Sequence, residues 1–271
     1  MRMDRETVAV LTGAGSGIGR ALAIELAGRC GGLALADVDR EGLAETRAQL
    51  GAASSCRVSE HLVDVADRAA MTQFRDEVLA THGAVHLLVN NAGVALIGTV
   101  EEVSLEDLDW LLGINLHGVL HGVKLFLPTL LQQDRGHIVN ISSVFGIIAP
   151  PGQAAYAASK FAVRGFTEAL RHELSGSRVG VSVVHPGGIR TKIARRARAG
   201  AGADPALAVT AGDHFDRVAR TRPEAAAAKI VRGIERDAPR ILIGPDAWLI
   251  DRVQRWFPIR YGRLMRRFLE P

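Results

Sequence analysis

The sequence predicts an α/β fold: a seven-stranded parallel sheet with helices on both faces, in a single domain. Short apolar runs alternate with longer stretches of helical period, and alternation of this kind sets parallel strands between two helical layers. A glycine cluster stands at the first strand-to-helix junction. The chain has 271 residues, 48% apolar and 23% charged, which is enough for one sizeable core.

The strands are read at residues 8–11, 33–36, 57–63, 86–89, 137–141, 179–184 and 240–243. Helical spacing fills 17–29, 40–50, 67–82, 105–133 in two pieces, and 153–174. From 190 to 222 the strand pattern stops, and the stretch is rich in Ala, Gly and Arg, with Asp204-Pro205 as a helix start. An interruption that long is expected to be a mobile lid or binding element, and the plainer alternative is a packed helical pair. The catalytic domain is therefore drawn at 1–245, with 190–222 as its substrate-loop insertion and 246–271 as a C-terminal extension.

Composition excludes several classes of function. The net charge of +4 comes from 33 basic and 29 acidic residues. Residues 251–271 hold six arginines against Asp251 and Glu270, so the rest of the chain balances. A body without excess charge argues against nucleic-acid binding. Cys30 and Cys56 are too few for a disulfide framework and suit a reducing compartment. The charged N-terminus and its four-residue apolar run do not make an export signal, and the uncharged stretch 136–159 is interrupted by polar residues and a proline pair, so no membrane span is expected and the cytoplasm is the expected location. His117 and His121 have helical metal spacing but no evident third ligand, so no metal site is assigned.

Thr12-Gly13-Ala14-Gly15-Ser16-Gly17-Ile18-Gly19 follows the first strand and opens a helix. Glycines there let backbone N–H groups approach a pyrophosphate, and the helix N-terminus adds partial positive charge. The spacing is G-x-x-x-G-x-G through Gly13, Gly17 and Gly19; the literal G-x-G-x-x-G fails because Ile18 takes its last position. Asp37, eighteen residues beyond Gly19, ends the second strand where a carboxylate meets an adenosine ribose and repels a 2′-phosphate. NAD is therefore expected over NADP. Asp37 and Asp39 both also stand where a helix cap belongs.

Tyr156 and Lys160, at i and i+4 of a helical stretch, share one face, and a lysine cation beside a tyrosine favours the phenolate. Lysine is rare here, at four residues, and the pair follows a strand ending in Ser142-Ser143. At this point the chain resembles the short-chain dehydrogenase/reductase family, collinearly over residues 7–243. The resemblance carries the cofactor loop onto residues 12–19, the adenine-contacting acid onto Asp64-Val65, and the N-N-A-G motif onto Asn90, Asn91, Ala92 and Gly93. It carries the catalytic set onto Asn115, Ser143, Tyr156 and Lys160, and the P-G motif beside the nicotinamide onto Pro186-Gly187 with Ile189 and Thr191. Ser143 is chosen over Ser142 because it lies thirteen residues before Tyr156.

The resemblance implies a doubly wound Rossmann fold, and hydride exchange between NAD(H) and a secondary alcohol or ketone. Tyr156 would take the alcohol proton, Ser143 would hold the same oxygen, Lys160 would lower the Tyr156 pKa and bind the nicotinamide ribose, and Asn115 would hold a water. It also implies a homotetramer or homodimer built on the helices around 115–133 and 153–174. A 3-ketoacyl-thioester reductase using NADPH stays open as an alternative. So do a nicotinamide-binding sensor without turnover and a membrane-surface scaffold. A serine hydrolase built on Ser142, Ser143 and His185 lacks the G-x-S-x-G motif.

In the extension, Leu249, Val253 and Trp256, then Tyr261, Leu264, Met265 and Phe268 beyond Pro258, recur at helical spacing, mostly opposite the arginines. Two short basic amphipathic helices are expected there, docked on protein or in peripheral contact with a membrane. A steroid-, retinoid- or long-chain-type lipophilic alcohol or ketone is the expected substrate, on the strength of this tail and the 190–222 insertion.

Overall fold

The computed structural model describes residues 1–51 and 55–264. Met265 and Phe268 of the tail lie outside the described residues.

In chain order the elements are β1 (Val8–Thr12), α1 (Gly17–Ala27), β2 (Gly32–Asp37), α2 (Arg40–Gln49), β3 (Arg57–Leu62), α3 (Arg68–His82), β4 (Leu87–Asn90) and β5 (Leu96–Ile97). There follow α4 (Leu105–Leu112), a π-turn (Gly113–His117), α5 (Gly118–Leu131), β6 (Gly136–Ile141), a 3-10 turn (Val144–Gly146) and α6 (Ala154–Glu173). The chain continues through β7 (Val179–Pro186), β8 (Arg198–Ala199), α7 (Ala206–Val218), α8 (Pro223–Glu235), β9 (Arg240–Ile243), α9 (Pro245–Trp256) and α10 (Tyr261–Leu264).

Seven strands form one parallel sheet in the order β3-β2-β1-β4-β6-β7-β9. All seven expected strands are in it. The inner strands are buried on both sides because alternate residues serve different layers. Ala9, Leu11, Leu33 and Leu35 pack with α1 and α8 residues such as Leu22, Leu26 and Ile230, while Val10, Ala34 and Leu88 meet Phe74, Phe126 and Leu130 of α3 and α5. Each fully buried leucine contributes about 2 kcal/mol.

The chain winds outward from β1 to β3 and returns to β4 on the other side of β1. That reversal opens a crevice at the carboxyl ends of β1 and β4, where open α/β sheets bind ligands. Two buried histidines stiffen the sheet beyond it. The Nε2–H of His137 donates to Ser182 Oγ (2.8 Å), and the Nδ1–H of His185 donates to the Ser143 carbonyl (2.8 Å). Burial pulls their pKa values down to about 3 and about 4.

The unfolded chain therefore takes up protons that the native fold refuses once pH falls below the ordinary histidine value. Stability present above about 6.5 is lost as pH drops towards the folded values, by roughly 3 kcal/mol for His185 alone at about 1.4 kcal/mol per unit. Thermal melts at pH 7 and pH 5 are expected to differ by on the order of 10 °C, with a shallower slope for His137→Gln. Equal midpoints at the two pH values would contradict this account.

Within residues 190–222 the chain forms β8 and α7, a short strand and a helix that the alternation of strands and helices did not announce. β8 pairs with β5 in a separate two-stranded sheet, Arg198 stacks over the Trp110 ring at 3.8 Å, and Asp107 accepts the Ala201 N–H at 2.8 Å. α8, which the strand-helix reading did not name, begins with Pro223 in its first turn and packs beside α1.

The helix running through Leu105–Leu131 has the length and the mean hydropathy, 1.3, of a membrane-crossing segment. Here it is part of the domain, with Leu111, Val123, Phe126 and Leu130 buried against the sheet and α6. The tail forms two helices, broken at Phe257–Arg260 around Pro258. Asp251 anchors α9, buried between Arg240 of β9 (2.5 Å) and Arg255 (2.9 Å).

Candidate active site

The crevice floor is built by Thr12, whose Oγ1 accepts the N–H groups of Asn91 and Ala92 (3.1 Å each) and so ties β1 to the segment after β4. Asn91 Nδ2 donates to the carbonyls of Thr12 and Gly13 (3.0 Å each). Gly13 and Gly17 take φ of +66° and +54°, a region that glycine enters without penalty. A Cβ on Gly19 would lie 1.9 Å from the Gly13 carbonyl oxygen. The cap residue of α1, Ser16, makes no side-chain bond to the helix, unlike Asp39, Asp67 and Ser104 at the starts of α2, α3 and α4. The first-turn N–H groups beside Ser16, Gly17 and Ile18 therefore face the crevice without a side-chain partner of that kind, an arrangement that fits a dinucleotide pyrophosphate.

Asp37 sits where the sequence places it, at the end of β2. Its carboxylate accepts the N–H of Gly15 (2.7 Å) and of Asp39 (3.0 Å). The helix cap is Asp39, which accepts from Gly42 (3.0 Å), so Asp37 is not spent on α2. Arg20 donates to Gly15 O, Gly42 O, Thr46 Oγ1 and Glu45, and Arg196 faces Asp39 at 3.6 Å. Arg20 and Arg196 are thus already paired. A groove of about 1020 Å³ runs along it between Gly15–Gly17 and Arg190–Lys192.

Asp64 is exposed and holds its own turn by accepting the Ala66 N–H, while Val65 is buried with its carbonyl accepting from His121 Nδ1 (3.0 Å). These two lie at the opposite side of β2's end, after β3. On the far side, Pro186 ends β7, Ile189 is buried and bridges to Thr221, and the Thr191 methyl lies 3.0 Å from where a Gly17 Cβ would be.

Asn115, Ser143, Tyr156 and Lys160 are all buried, and the fold brings them to one end of the sheet. Ser142 and Ser143 divide their work. Ser142 Oγ donates to the Lys160 carbonyl (2.8 Å), whereas Ser143 hydrogen-bonds the Tyr156 hydroxyl and accepts from Phe145 N (3.1 Å). Lys160 Nζ donates to the Ile141 carbonyl (3.2 Å) and stands 5.7 Å from the Tyr156 ring centroid. A Cβ on Gly93 would fall 3.1 Å from Asn115 Oδ1 and 3.3 Å from Lys160 Nζ, so that glycine leaves room for both groups.

Asn115 sits in the π-turn, where Oδ1 accepts Val94 N (2.8 Å), and Nδ2 donates to Val94 O (3.0 Å) and Ser159 Oγ (3.2 Å). Its amide positions the segment after Asn91–Gly93. Burial pushes Tyr156 up to about 12, only partly opposed by the Ser143 bond, and pulls Lys160 down to about 8. Both shifts arise because the charged form of each group would leave water.

The sequence reading met His185 only as a hydrolase candidate and did not foresee that it fixes the Ser143 backbone, and it missed the apolar wall around the tyrosine. Leu96 and Leu111 pack with Tyr156, flanked by Val94, Trp110 and Phe145, whose ring meets Tyr156 edge-on at 6.0 Å. The wall is assembled from β5, α4 and the turn after β6, so no local pattern announces it.

Residues 7–202 match the family described as short chain dehydrogenase. The chain is 46% identical over 261 residues to SadH of Mycobacterium tuberculosis, covering 95% of this chain and 93% of that protein. It is 34% identical over 196 residues to the 3-oxoacyl-(acyl-carrier-protein) reductase FabG of Thermotoga maritima, covering 72% and 79%. A solved short chain dehydrogenase/reductase from Burkholderia phymatum, in complex with NAD, matches with TM-score 0.85 and 35% identity over 94% of this chain and 95% of that one. Sheet order, sequence and superposition agree that the chain belongs to the short-chain dehydrogenases, Rossmann-fold oxidoreductases acting on CH–OH groups.

Proposed function

We propose that this protein is an NAD-dependent dehydrogenase of lipophilic secondary alcohols, working on the corresponding ketones in reverse. The observation that carries the reading is the meeting of Ser143, Tyr156 and Lys160 beside an apolar wall, at the end of the sheet where the glycine cradle opens. Asp37 favours NAD, because its carboxylate stands at the ribose edge while Arg20 and Arg196 are held in other pairs. Thr12, Gly13, Gly15–Gly19, Asp64, Val65, Asn91–Gly93 and Pro186–Thr191 complete the dinucleotide site in this reading.

When bound, NAD supplies the hydride acceptor. Ser143 Oγ holds the substrate oxygen, and Tyr156 as phenolate accepts the alcohol proton when the C–H bond breaks and the carbonyl forms. The Lys160 cation favours that phenolate and, with Gly93 leaving room beside it, would hold the nicotinamide ribose. Asn115 keeps the surrounding backbone in place.

Oligomerisation on α5 and α6, where Leu131 and Phe161 are exposed, belongs to the same reading, as does a cytoplasmic location with peripheral membrane contact through the tail. Trp248, Trp256, Phe257, Ile259 and Leu264 are exposed there beside arginines. The similarity to FabG favours, as a second reading, reduction of 3-ketoacyl thioesters.

The test is reduced-cofactor absorbance with NAD and NADP across long-chain and polycyclic secondary alcohols, and cofactor consumption with 3-ketoacyl thioesters. NAD-linked oxidation of lipophilic alcohols is expected, with NADP at least about tenfold poorer through charge repulsion at Asp37. Turnover confined to small polyols, or a preference for NADPH with thioesters, would overturn the first reading.

A further inference from the structure

The loop from Gly187 to Thr191 starts beside Ser143, where His185 holds the serine carbonyl, and ends above Gly17 of the glycine cradle. It spans the crevice, so its height sets how a dinucleotide fits beneath it. On one side the loop is tied to residues 219–221: Arg190 N donates to Thr221 O (2.9 Å), and Thr221 N to Gly188 O (3.2 Å). On the other it is tied to the start of the C-terminal helix. Gly187 N donates to Ile243 O (2.9 Å), and Gly188 N donates to Asp246 Oδ2 at 2.6 Å across 58 residues.

Asp246 lies in the first turn of α9, where a carboxylate ordinarily serves its own helix. Instead its carboxylate lies in a notch of three glycines. A Cβ on Gly187 would sit 2.1 Å from Asp246 Oδ2, one on Gly244 2.2 Å from Oδ1, and one on Gly188 3.6 Å from Oδ2. Gly244 itself has φ +96°, which turns the chain out of β9 so that Asp246 points back at the loop. A short hydrogen bond to an ionised acceptor is about twice as strong as a neutral one.

From this we infer that Asp246 is a positioning residue for nicotinamide-cofactor binding: the C-terminal helix holds the 187–191 loop at the height the cofactor requires. The inference rests on the proposed nicotinamide site. Asp246 touches neither substrate nor cofactor in this role; it acts through the Gly188 amide.

The test compares wild type, Asp246→Ala, Asp246→Asn, Gly187→Ala and the double variant Gly187→Ala with Asp246→Ala. Two readouts are taken: amide hydrogen exchange of residues 187–191, and the NAD dissociation constant by calorimetry. Asp246→Ala is expected to raise exchange in the loop and weaken NAD by about tenfold or more, as loss of a charge-assisted bond implies. Asp246→Asn, which keeps the shape and one acceptor oxygen, should weaken it by about threefold and serves if the alanine variant does not fold.

Gly187→Ala alone should weaken NAD because its methyl meets the carboxylate, and the double variant should bind more tightly than Gly187→Ala, since the clash is gone. Unchanged exchange in Asp246→Ala overturns the proposal. So does raised exchange with unchanged NAD affinity, or a double variant whose loss is the product of the two single losses. A wild type that binds neither NAD nor NADP is a separate result: it overturns the nicotinamide site, and this inference with it.

Discussion

Replacing Tyr156 by phenylalanine is expected to lower kcat by about 10³-fold or more while leaving NAD bound, since the change deletes one hydroxyl and no packing. The ring stays wedged against Leu96, Leu111 and Phe145, so the apolar wall keeps its shape. What disappears is the hydroxyl assigned to exchange a proton with the substrate oxygen; Ser143 Oγ–H is a far weaker acid, and Lys160 Nζ donates to the Ile141 carbonyl.

The direction of the pH effect follows from burial. With Tyr156 pushed up to about 12, the phenolate is scarce at neutral pH, so oxidation in the wild type should quicken as pH rises. Reduction, which needs the phenol, should not. Stopped-flow hydride transfer in the wild type and in the Tyr156→Phe variant checks both points. A variant that retains more than about a tenth of wild-type kcat would remove Tyr156 from the chemistry.

Gly19→Ala is expected to cost more than any surface change and to abolish dinucleotide binding. The new methyl carbon would lie 1.9 Å from the Gly13 carbonyl oxygen and 2.7 Å from Asn91 Nδ2. Neither neighbour can swing aside: Asn91 Nδ2 is fixed on two carbonyls, and Gly13 already occupies positive φ. The loop must therefore move as a whole, at a cost of about 3 kcal/mol or more. Gly165→Ala in α6 is the matched control. A Cβ there meets nothing within 4 Å, and alanine in a helix interior gains about 0.5–1 kcal/mol over glycine. Urea melts on the two variants should move in opposite directions, and NAD calorimetry should weaken for Gly19→Ala alone; equal stabilities would show that the cradle is more pliable than its contacts indicate.

The central strands were legible because burial on both faces writes itself into the sequence as unbroken apolar runs: residues 8–11 and 33–36 have no other reading. β5 and β8 were not, since two residues each carry no period, and the folding of 190–222 depends on Asp107, Trp110 and Ala95, which lie about a hundred residues away. At the site, motif order drew attention to four side chains, and the fold places Ser143, Tyr156 and Lys160 within reach of one another. The proton affinities were hidden. A pKa is a sum over every atom that excludes water from Tyr156 and Lys160, and spacing in the chain holds no trace of it. The engagement of the Asn115 amide by Val94 and Ser159 was hidden for the same reason.

The π-turn at Gly113–His117 makes one long helix out of two that answer to different masters. Each residue of an α-helix advances the direction of a side chain by about 100°, so an extra residue in one turn is a phase offset. Before the offset, Leu111 faces Tyr156 and Asp107 reaches the Ala201 amide; after it, Val123, Phe126 and Leu130 face the sheet. Neither set of neighbours constrains the other, provided the count between them is kept. Apart from Asn115, whose amide holds Val94 and Ser159, side chains in these five positions could be exchanged without altering that phase, but removing a single residue would turn the Leu111 half of the helix away from its partners while the core half stayed in place. Beyond Asn115, what this stretch encodes is a number.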